Sequence, residues 1–213
     1  MLTSFSVGTF ILNVLYPPTC VGCERDGGWL CEECVRAISL DAIQGDTVSV
    51  GRYANPTMRC LLTHLKYRSA TCVVESLRTL VRRFRSQHVG AWPWAGESSL
   101  TLCGVPSDTR RMRERGIDHV EHLLNIVQAE LVPWATRVEC LRRTRHVAQN
   151  AALPANELRH ANVRGIFESH APMTGAVLLV DDVYTTGATW EEAARVLREA
   201  GATKVYGFVF ARG

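Results

Sequence analysis

The stretch that decides the fold reads Val177-Leu178-Leu179-Val180-Asp181-Asp182-Val183-Tyr184-Thr185-Thr186-Gly187-Ala188-Thr189. Its four leading apolar residues predict a buried strand, and two consecutive acids end that strand. An amphipathic helix follows over residues 190–200, with Gly201 at its C-cap. A strand, a short turn and a helix in this order are typical of α/β folds with parallel strands.

The turn between this strand and helix has the chemistry of a phosphate site. Backbone N–H groups and the positive end of the helix dipole favour an anion there, and Thr185, Thr186 and Thr189 add hydroxyl donors. Asp181 and Asp182 are consecutive on a strand, so their side chains point to opposite sides. One would accept hydrogen bonds from vicinal hydroxyls, and the other would orient the loop or a water bound to Mg²⁺. A phosphate beside such hydroxyls describes a ribose 5-phosphate.

A plainer interpretation of the same stretch is an acidic strand end followed by the capping box Thr189-x-x-Glu192. We expect the capping to be present. It does not account for two acids followed by Thr-Thr-Gly, so the phosphate interpretation is favoured.

The rest of the chain continues the alternation of strands and helices. Short apolar runs predict strands over 47–53, 100–105, 137–141, 176–181 and 204–211. Apolar positions at helical spacing predict helices over 58–66, 71–84, 118–131 and 189–200. We therefore expect a parallel sheet with crossover helices.

Four of the eight cysteines form a unit near the start of the chain, in two C-x-x-C pairs separated by seven residues: Cys20, Cys23, Cys31 and Cys34. Each pair can place two thiolates on one face of a tight turn, which predicts a tetrahedral structural zinc site with no open position. A redox C-x-x-C and local disulfides are the alternatives. The scattered cysteines are expected to be small core residues: Cys60, Cys72, Cys103 and Cys140.

The composition is that of an ordinary globular protein, with 46% apolar and 21% charged residues in 213. It excludes a disordered chain, a collagen and a coiled coil. The formal net charge of +3 is too small to argue for nucleic acid on its own. No apolar run reaches the roughly 18 residues of a membrane helix, and segment 5–16 has no Lys or Arg ahead of it. We expect a cytoplasmic protein without membrane insertion, divided into an N-terminal helix and four-Cys module (1–45) and an α/β domain (46–213).

Four hydrophobics, two acids and Thr-Thr-Gly-x-Thr resemble the phosphoribosyl-pyrophosphate (PRPP) signature of type I phosphoribosyltransferases. Together with the upstream cysteines, the chain resembles the ComF family, named for DNA-uptake competence. The resemblance implies a phosphoribosyltransferase-like parallel sheet flanked by helices, with a small N-terminal zinc module.

Two further segments carry the resemblance. Residues 104–116 are similar to the family's V-P-x-x-x-x-R-x-x-x-R-G loop at the pyrophosphate, with Arg111 and Arg115 at the matching positions. The family's Phe-Asn-Gln-Ala is replaced by Ile-Asp-His-Val over 117–120. Residues 143–167 are similar to the family's mobile closing loop and keep Arg143 and Arg145, but Val-Ala stands at 147–148 where Thr and often Pro are usual.

The resemblance implies transfer of a 5-phosphoribosyl group from PRPP to a nitrogen nucleophile, with release of pyrophosphate and a link to DNA uptake or nucleotide salvage. It gives Mg²⁺ as the companion of PRPP and Zn²⁺ as the structural metal. The implied catalytic residues are Asp181, Asp182, Arg143 and Arg145. The implied PRPP contacts are Asp181, Asp182, Thr185, Thr186, Gly187, Ala188, Thr189, Arg111 and Arg115.

The alternative is a non-catalytic module in which PRPP or a nucleotide regulates binding to single-stranded DNA or to a competence helicase. Arg clusters, zinc and tryptophans would then form a groove that tracks the strand. Since the last predicted strand ends two residues before Gly213, we expect any hood over the acceptor to come from the zinc module and segment 53–67. A separate protein-docking knuckle is the alternative role for the zinc module.

Overall fold

The computed structural model describes residues 19–66, 70–108, 112–113, 118–144 and 163–213, without the side chains of 70–72. It contains five helices within these ranges: α1 (Glu32–Ala37), α2 (Pro56–Leu65), α3 (Ala70–Gln87), α4 (His119–Glu130) and α5 (Ala188–Glu199). The strands are β1 (Ile43–Gln44), β2 (Thr47–Arg52), β3 (Leu100–Gly104), β4 (Thr136–Arg137), β5 (Leu141–Arg143), β6 (Phe167–Ser169), β7 (Ala176–Tyr184) and β8 (Lys204–Arg212).

Six of these strands form one sheet in the order β1-β2-β8-β7-β3-β4. Only the short β1 is antiparallel to its neighbour, and every other pairing in this sheet is parallel. β5 and β6 form a separate two-stranded antiparallel sheet. The predicted α/β class with a mostly parallel sheet flanked by helices is therefore confirmed.

Both faces of the sheet are covered, which explains the continuous apolar run of β7. Leu178 and Val180 point to a core that also contains the buried residues of α2, α3 and α4. Val177 and Leu179 point to the opposite core, which contains the buried residues of α5. Alternate residues of β7 thus serve two cores, as the two-residue period of a strand requires.

Most predicted elements agree with the structure within a few residues, and one does not. The strand predicted over 137–141 is wrong: β4 ends at Arg137, and β5 begins at Leu141 in the other sheet. The backbone N–H of Val138 still bonds to the carbonyl of Leu102 at 3.1 Å, after which the chain leaves β3. The apolar residues Val138, Cys140 and Leu141 suggest one strand, but they lie between the end of β4 in one sheet and the start of β5 in the other.

The cysteine-rich segment packs directly on the α/β core. Val21, Trp29 and Leu30 are partly buried against the core below α2 and α3. The guanidinium of Arg83, on α3, donates to the carbonyl oxygens of Val35 (2.5 Å) and Ile38 (2.8 Å) at the end of α1. The division at residue 45 stays a prediction, and it falls in the turn between β1 and β2.

Within the described part of the chain, no helix has both the length and the apolar character needed to cross a bilayer.

Candidate functional site

The strands that lead into the two predicted ligand-binding segments are neighbours at the point where the order of the strands reverses. β3 leads through α4 to β4 on one side, and β7 leads through α5 to β8 on the other, with the two helices on opposite faces. β3 and β7 are neighbours, with Gly104 opposite Val180 and a backbone bond of 2.9 Å from Val105 N–H to the Val180 carbonyl. In open α/β sheets, ligands bind beyond the carboxyl ends of the strands at such a switch point.

The turn after β7 is shaped by Gly187. This residue is the N-cap of α5 and has a φ of 80°, a left-handed conformation that glycine adopts without a steric penalty. A side chain at this position would collide with the Tyr184 hydroxyl. Among the described residues no side chain caps α5, so its first backbone N–H groups have no side-chain acceptor from that part of the chain. Thr185 is exposed, while Thr186 and Thr189 are half-buried beside it.

The expected capping box is wrong, because Glu192 has a different role. It is buried, and one carboxylate oxygen accepts the backbone N–H of Gly165 at 2.6 Å. Both oxygens also accept from Arg195, at 2.7 and 2.8 Å. The Arg195 guanidinium is the main reason that the pKa of Glu192 lies below its usual value. Glu192 therefore ties the chain just before β6 to the first turns of α5.

The two acids at the end of β7 point to opposite faces of the sheet, as predicted. Asp182 faces the α2 and α4 side, where the ammonium of Lys66 forms an ion pair with its Oδ2. The Nε2 of His119, the first residue of α4, lies 4.0 Å from the same oxygen. Asp181 has the same parity as Val177 and Leu179 and so belongs to the α5 side. Its Oδ1 accepts the backbone N–H of Asp182 at 2.8 Å.

These surroundings shift the pKa values of the two acids in opposite directions. Burial favours the neutral form of both carboxyls. For Asp182 the Lys66 ammonium outweighs burial and holds its pKa below the usual value. For Asp181, burial and the neighbouring Asp182 carboxylate raise the pKa well above the usual value. Lys66 therefore favours the carboxylate form of Asp182, while burial and the neighbouring carboxylate favour the carboxylic acid form of Asp181.

Lys66 and His119 were not found by sequence reasoning. Lys66 ends α2 and precedes Asp182 by more than a hundred residues, so no local period could connect them. A signal did exist for both: Lys66 is one of two lysines in the chain, with Lys204, and His119 stands where the family pattern has Gln. The departure over residues 117–120 thus places an imidazole near the acid pair.

The predicted arginines are only partly located. Arg143 ends β5, and its guanidinium lies over the ring of Phe167 at 5.7 Å from the centroid. Arg111, Arg115 and Arg145 lie outside the described residues.

The four cysteines of the N-terminal unit come together as the spacing predicts. Their Sγ atoms all lie within 4.8 Å of one another, and those of Cys23 and Cys31 are 3.6 Å apart. A tetrahedron with metal–sulfur bonds of about 2.3 Å has edges of about 3.8 Å. The cluster could therefore hold a metal ion.

Backbone donors favour the thiolate form of one of these cysteines. The N–H groups of Gly22 and Cys31 point at the Sγ of Cys20, at 3.4 and 3.3 Å. Burial alone would raise the pKa of Cys20, but these N–H groups lower it to about 6. Burial raises the pKa of Cys34 to about 12. A cation among the four sulfurs would favour the thiolate at all of them.

This cysteine unit lies along α2, the helix that Lys66 ends. Gly22 lies beside both Cys34 and Thr57, which is in the first turn of the helix, and the ring of Trp29 lies 5.3 Å from that of His64 in the last turn. From Thr57 to Lys66 is nine residues, or about 14 Å of helix. A hood was expected from the zinc module and segment 53–67. The helix α2 lies in that segment, contacts the cysteine unit and ends at Lys66, the partner of Asp182.

Two scattered cysteines are core residues, as predicted. Cys103 and Cys140 are fully buried, with their sulfurs in contact, whereas Cys60 is half-buried.

Comparisons with known proteins give partial matches. No protein-family model matches the chain. The DNA utilization protein YhgH of Escherichia coli K12 is 34% identical over 106 residues, which is 49% of this chain and 45% of that protein. The proteins of the same name from Escherichia coli O157:H7 and Shigella flexneri match to the same extent. The match thus spans about half the length of these curated relatives.

Among solved structures, the chain is similar to one titled the allosteric regulatory enzyme of purine biosynthesis, with a TM-score of 0.39 and 20% identity. It is also similar to the glutamine PRPP amidotransferase of B. subtilis complexed with ADP and GMP, with a TM-score of 0.38 and 20% identity. Each match covers 70% of this chain and 30% of the other chain.

The bonds of Glu192 predict a local and pH-dependent loss of stability on substitution. Glu192→Gln should lower the free energy of unfolding by about 1–2 kcal/mol at pH 7, because charge-assisted bonds to a buried carboxylate are lost. Since the pKa of Glu192 is lowered in the folded state, its contribution is present above pH 4.5 and fades as the pH falls below it. Urea denaturation at pH 7 and pH 4 measures both effects.

The matched control is Glu199→Gln, which removes an exposed partner of the same Arg195. It should change the free energy by no more than about 0.5 kcal/mol. Equal losses in the two variants would contradict the anchoring role of Glu192.

Proposed function

We propose that this chain is a ComF-family protein that binds PRPP and transfers its 5-phosphoribosyl group to a nitrogen nucleophile. The observation that carries the proposal is the switch-point turn over 184–189, which sets the N-terminus of α5, with Gly187 as its N-cap, beside the half-buried Asp181 and the buried Asp182. Few ligands need an anion site and a hydroxyl-binding acid pair side by side, and a phosphorylated ribose is one of them. The order of residues in the PRPP signature supports the same ligand.

The ligand would lie across the ends of β7 and β3. Its 5-phosphate would accept from the backbone N–H groups and hydroxyls of Thr185–Thr189, including Gly187 and Ala188, at the positive end of α5. Asp181 and Asp182 would bind the ribose hydroxyls. The pyrophosphate, with its Mg²⁺, would lie toward the loop that follows Gly104, where Arg111 and Arg115 follow in the sequence.

The chemical step would be an attack of the nitrogen lone pair on C1 as the bond from C1 to the pyrophosphate oxygen breaks. Positive charge develops on the ring in the transition state, and negative charge develops on the leaving group. The protein would act by positioning the two reactants and by stabilising the leaving pyrophosphate. Arg143 and Arg145 would supply cations from the segment between β5 and β6.

We further propose that Cys20, Cys23, Cys31 and Cys34 hold one structural Zn²⁺. The sulfur spacing and the N–H donors on Cys20 fit a four-thiolate site, and four protein ligands leave no position for substrate. Such a site requires reduced thiols, which agrees with a cytoplasmic protein. The zinc would hold residues 19–38 against α2, which supports an indirect role in shaping the site.

A second candidate function is that of a non-catalytic module whose binding to single-stranded DNA or to a competence helicase responds to PRPP or a nucleotide. The name of the curated relatives, DNA utilization protein, favours it. An enzyme should release pyrophosphate from PRPP only when an acceptor is added, which a coupled phosphate assay over a panel of bases, nucleotides and amines measures. PRPP binding without pyrophosphate release, together with single-stranded DNA binding that PRPP alters, would favour the module.

Loss of one hydroxyl in the turn should weaken PRPP binding. Thr186→Val removes a donor and adds a methyl group beside the phosphate, and a charge-assisted hydrogen bond contributes about 1.5–3 kcal/mol. We expect an affinity at least tenfold lower in calorimetry with Mg²⁺ present, at an unchanged melting temperature. Thr79→Val, on the exposed side of α3, is the matched control and should bind as the wild type does. Unchanged PRPP affinity in Thr186→Val would reject the assignment of the turn.

The metal proposal is tested by comparing two cysteines of similar exposure. Purified wild type should contain one zinc per chain by elemental analysis, and Cys31→Ser should lose it and melt at a lower temperature. Bound structural zinc contributes roughly 10 kcal/mol or more in small modules. Cys60→Ser, also half-buried but outside the cluster, should keep the metal. Wild type purified without chelator and free of zinc would overturn the proposal.

A further inference from the structure

Lys66 reaches the acid pair from outside both of the segments assigned to PRPP. It is the C-cap residue of α2, and its ammonium is the ion-pair partner of Asp182. The side chain of Lys66 is 28% exposed, whereas those of Asp182 and His119 are 12% and 8% exposed. The pair therefore lies at the border between the core and the open edge of the sheet.

The fold alone does not require a charged pair at this position. Residues 178 and 180 of β7, on the same face as Asp182, are Leu and Val in the apolar core. A buried ion pair gains little or nothing in stability over apolar residues of similar size. Asp182 is nevertheless a buried carboxylate on this face, and its cationic partner comes from a helix that is distant in the sequence. We therefore infer that the ion pair has a function at the strand end.

We propose that Lys66 is a positioning residue that fixes Asp182 as the acceptor for one hydroxyl of a vicinal diol, and so makes the site select ribose over deoxyribose. The proposal rests on the proposed function. Asp182 is held on the α2 and α4 side by Lys66, while Asp181 is held at the same strand end by the backbone N–H of its neighbour. Each acid at this strand end therefore has a fixed direction, and the direction of Asp182 is the one that Lys66 fixes.

The surroundings also push the two acids in opposite directions. The Lys66 ammonium lowers the pKa of Asp182 against the effect of burial, and a carboxylate can only accept hydrogen bonds. Burial and the neighbouring carboxylate raise the pKa of Asp181, which favours the form that can also donate one. A hydroxyl can do both, so a 2,3-diol satisfies the pair. A 2-deoxy sugar would leave one buried polar group without a partner, and sites built for a hydroxyl discriminate strongly against its absence. Removal of the ammonium would let Asp182 take up a proton or turn away.

A purely structural role for Lys66 predicts something else. As a link between α2 and β7, it would affect the melting temperature and would leave the preference between two sugars unchanged. Selectivity between ribose and deoxyribose is therefore the measurement that separates the two roles.

The experiment compares Lys66→Met, Lys66→Arg and the control Arg59→Met. Arg59 is an exposed cation on α2, two turns before Lys66. Ribose 5-phosphate and 2-deoxyribose 5-phosphate are each titrated in competition with PRPP in a calorimeter. We expect the wild type to bind the ribose form at least tenfold more tightly. Lys66→Met should lower this preference below threefold, while Lys66→Arg and Arg59→Met should keep it.

The outcomes separate the two proposals. A wild type that binds neither PRPP nor ribose 5-phosphate overturns the proposed function. A wild type that binds both, with a Lys66→Met variant that keeps the full preference, overturns the role of Lys66 and leaves the proposed function standing. If Lys66→Met shows no cooperative melting, Lys66→Gln takes its place in the same titration. A preference for the ribose form that is kept in Lys66→Gln would then overturn the role of Lys66.

Discussion

The parallel pairing of β7 with β3 on one side and β8 on the other is the constraint on which the rest of the structure depends. It buries β7 on both faces, which explains the apolar run of 177–180. It also brings the carboxyl ends of β3 and β7 to one edge of the sheet. Their crossover helices leave on opposite faces, and in open α/β sheets this is the position where a crevice for a ligand forms.

The electrostatics of the site follow from that burial. A carboxylate at the end of a doubly covered strand has little water to stabilise it, so its charge must be balanced by the protein. Lys66 balances the charge of Asp182, while burial and the neighbouring carboxylate raise the pKa of Asp181. The acid pair is therefore not symmetric, although the sequence shows two identical residues.

The cysteine unit is connected to this edge through α2. Contacts along that helix begin at Gly22, which lies beside Cys34 and Thr57, and continue with the Trp29–His64 ring pair before Lys66. Arg83 holds the same unit to α3 through two carbonyl oxygens. A metal in the cluster would thus stabilise the helix from which the partner of Asp182 comes.

Local patterns in the sequence were enough to predict β7, the turn, α5 and the four-cysteine cluster, because each depends on residues close together in the chain. The contacts of Lys66 and His119 with Asp182, and of Glu192 with Gly165, could not be predicted in this way, since these partners are 27 or more residues away. The Glu192 prediction failed because Gly187, not Thr189, is the N-cap. The strand predicted over 137–141 failed because the pattern of Val138, Cys140 and Leu141 does not show that β4 ends in one sheet and β5 begins in another.

The central claim is that the turn between β7 and α5 binds the 5-phosphate of PRPP, and amide chemical shifts test it most directly. In a ¹⁵N–¹H titration of the full chain with Mg²⁺ and PRPP, the account predicts its largest shift changes at the amides of Thr185 to Thr189, with Lys66 and His119 following. Saturable binding that leaves these amides unmoved, or no binding at all at millimolar PRPP, would contradict it.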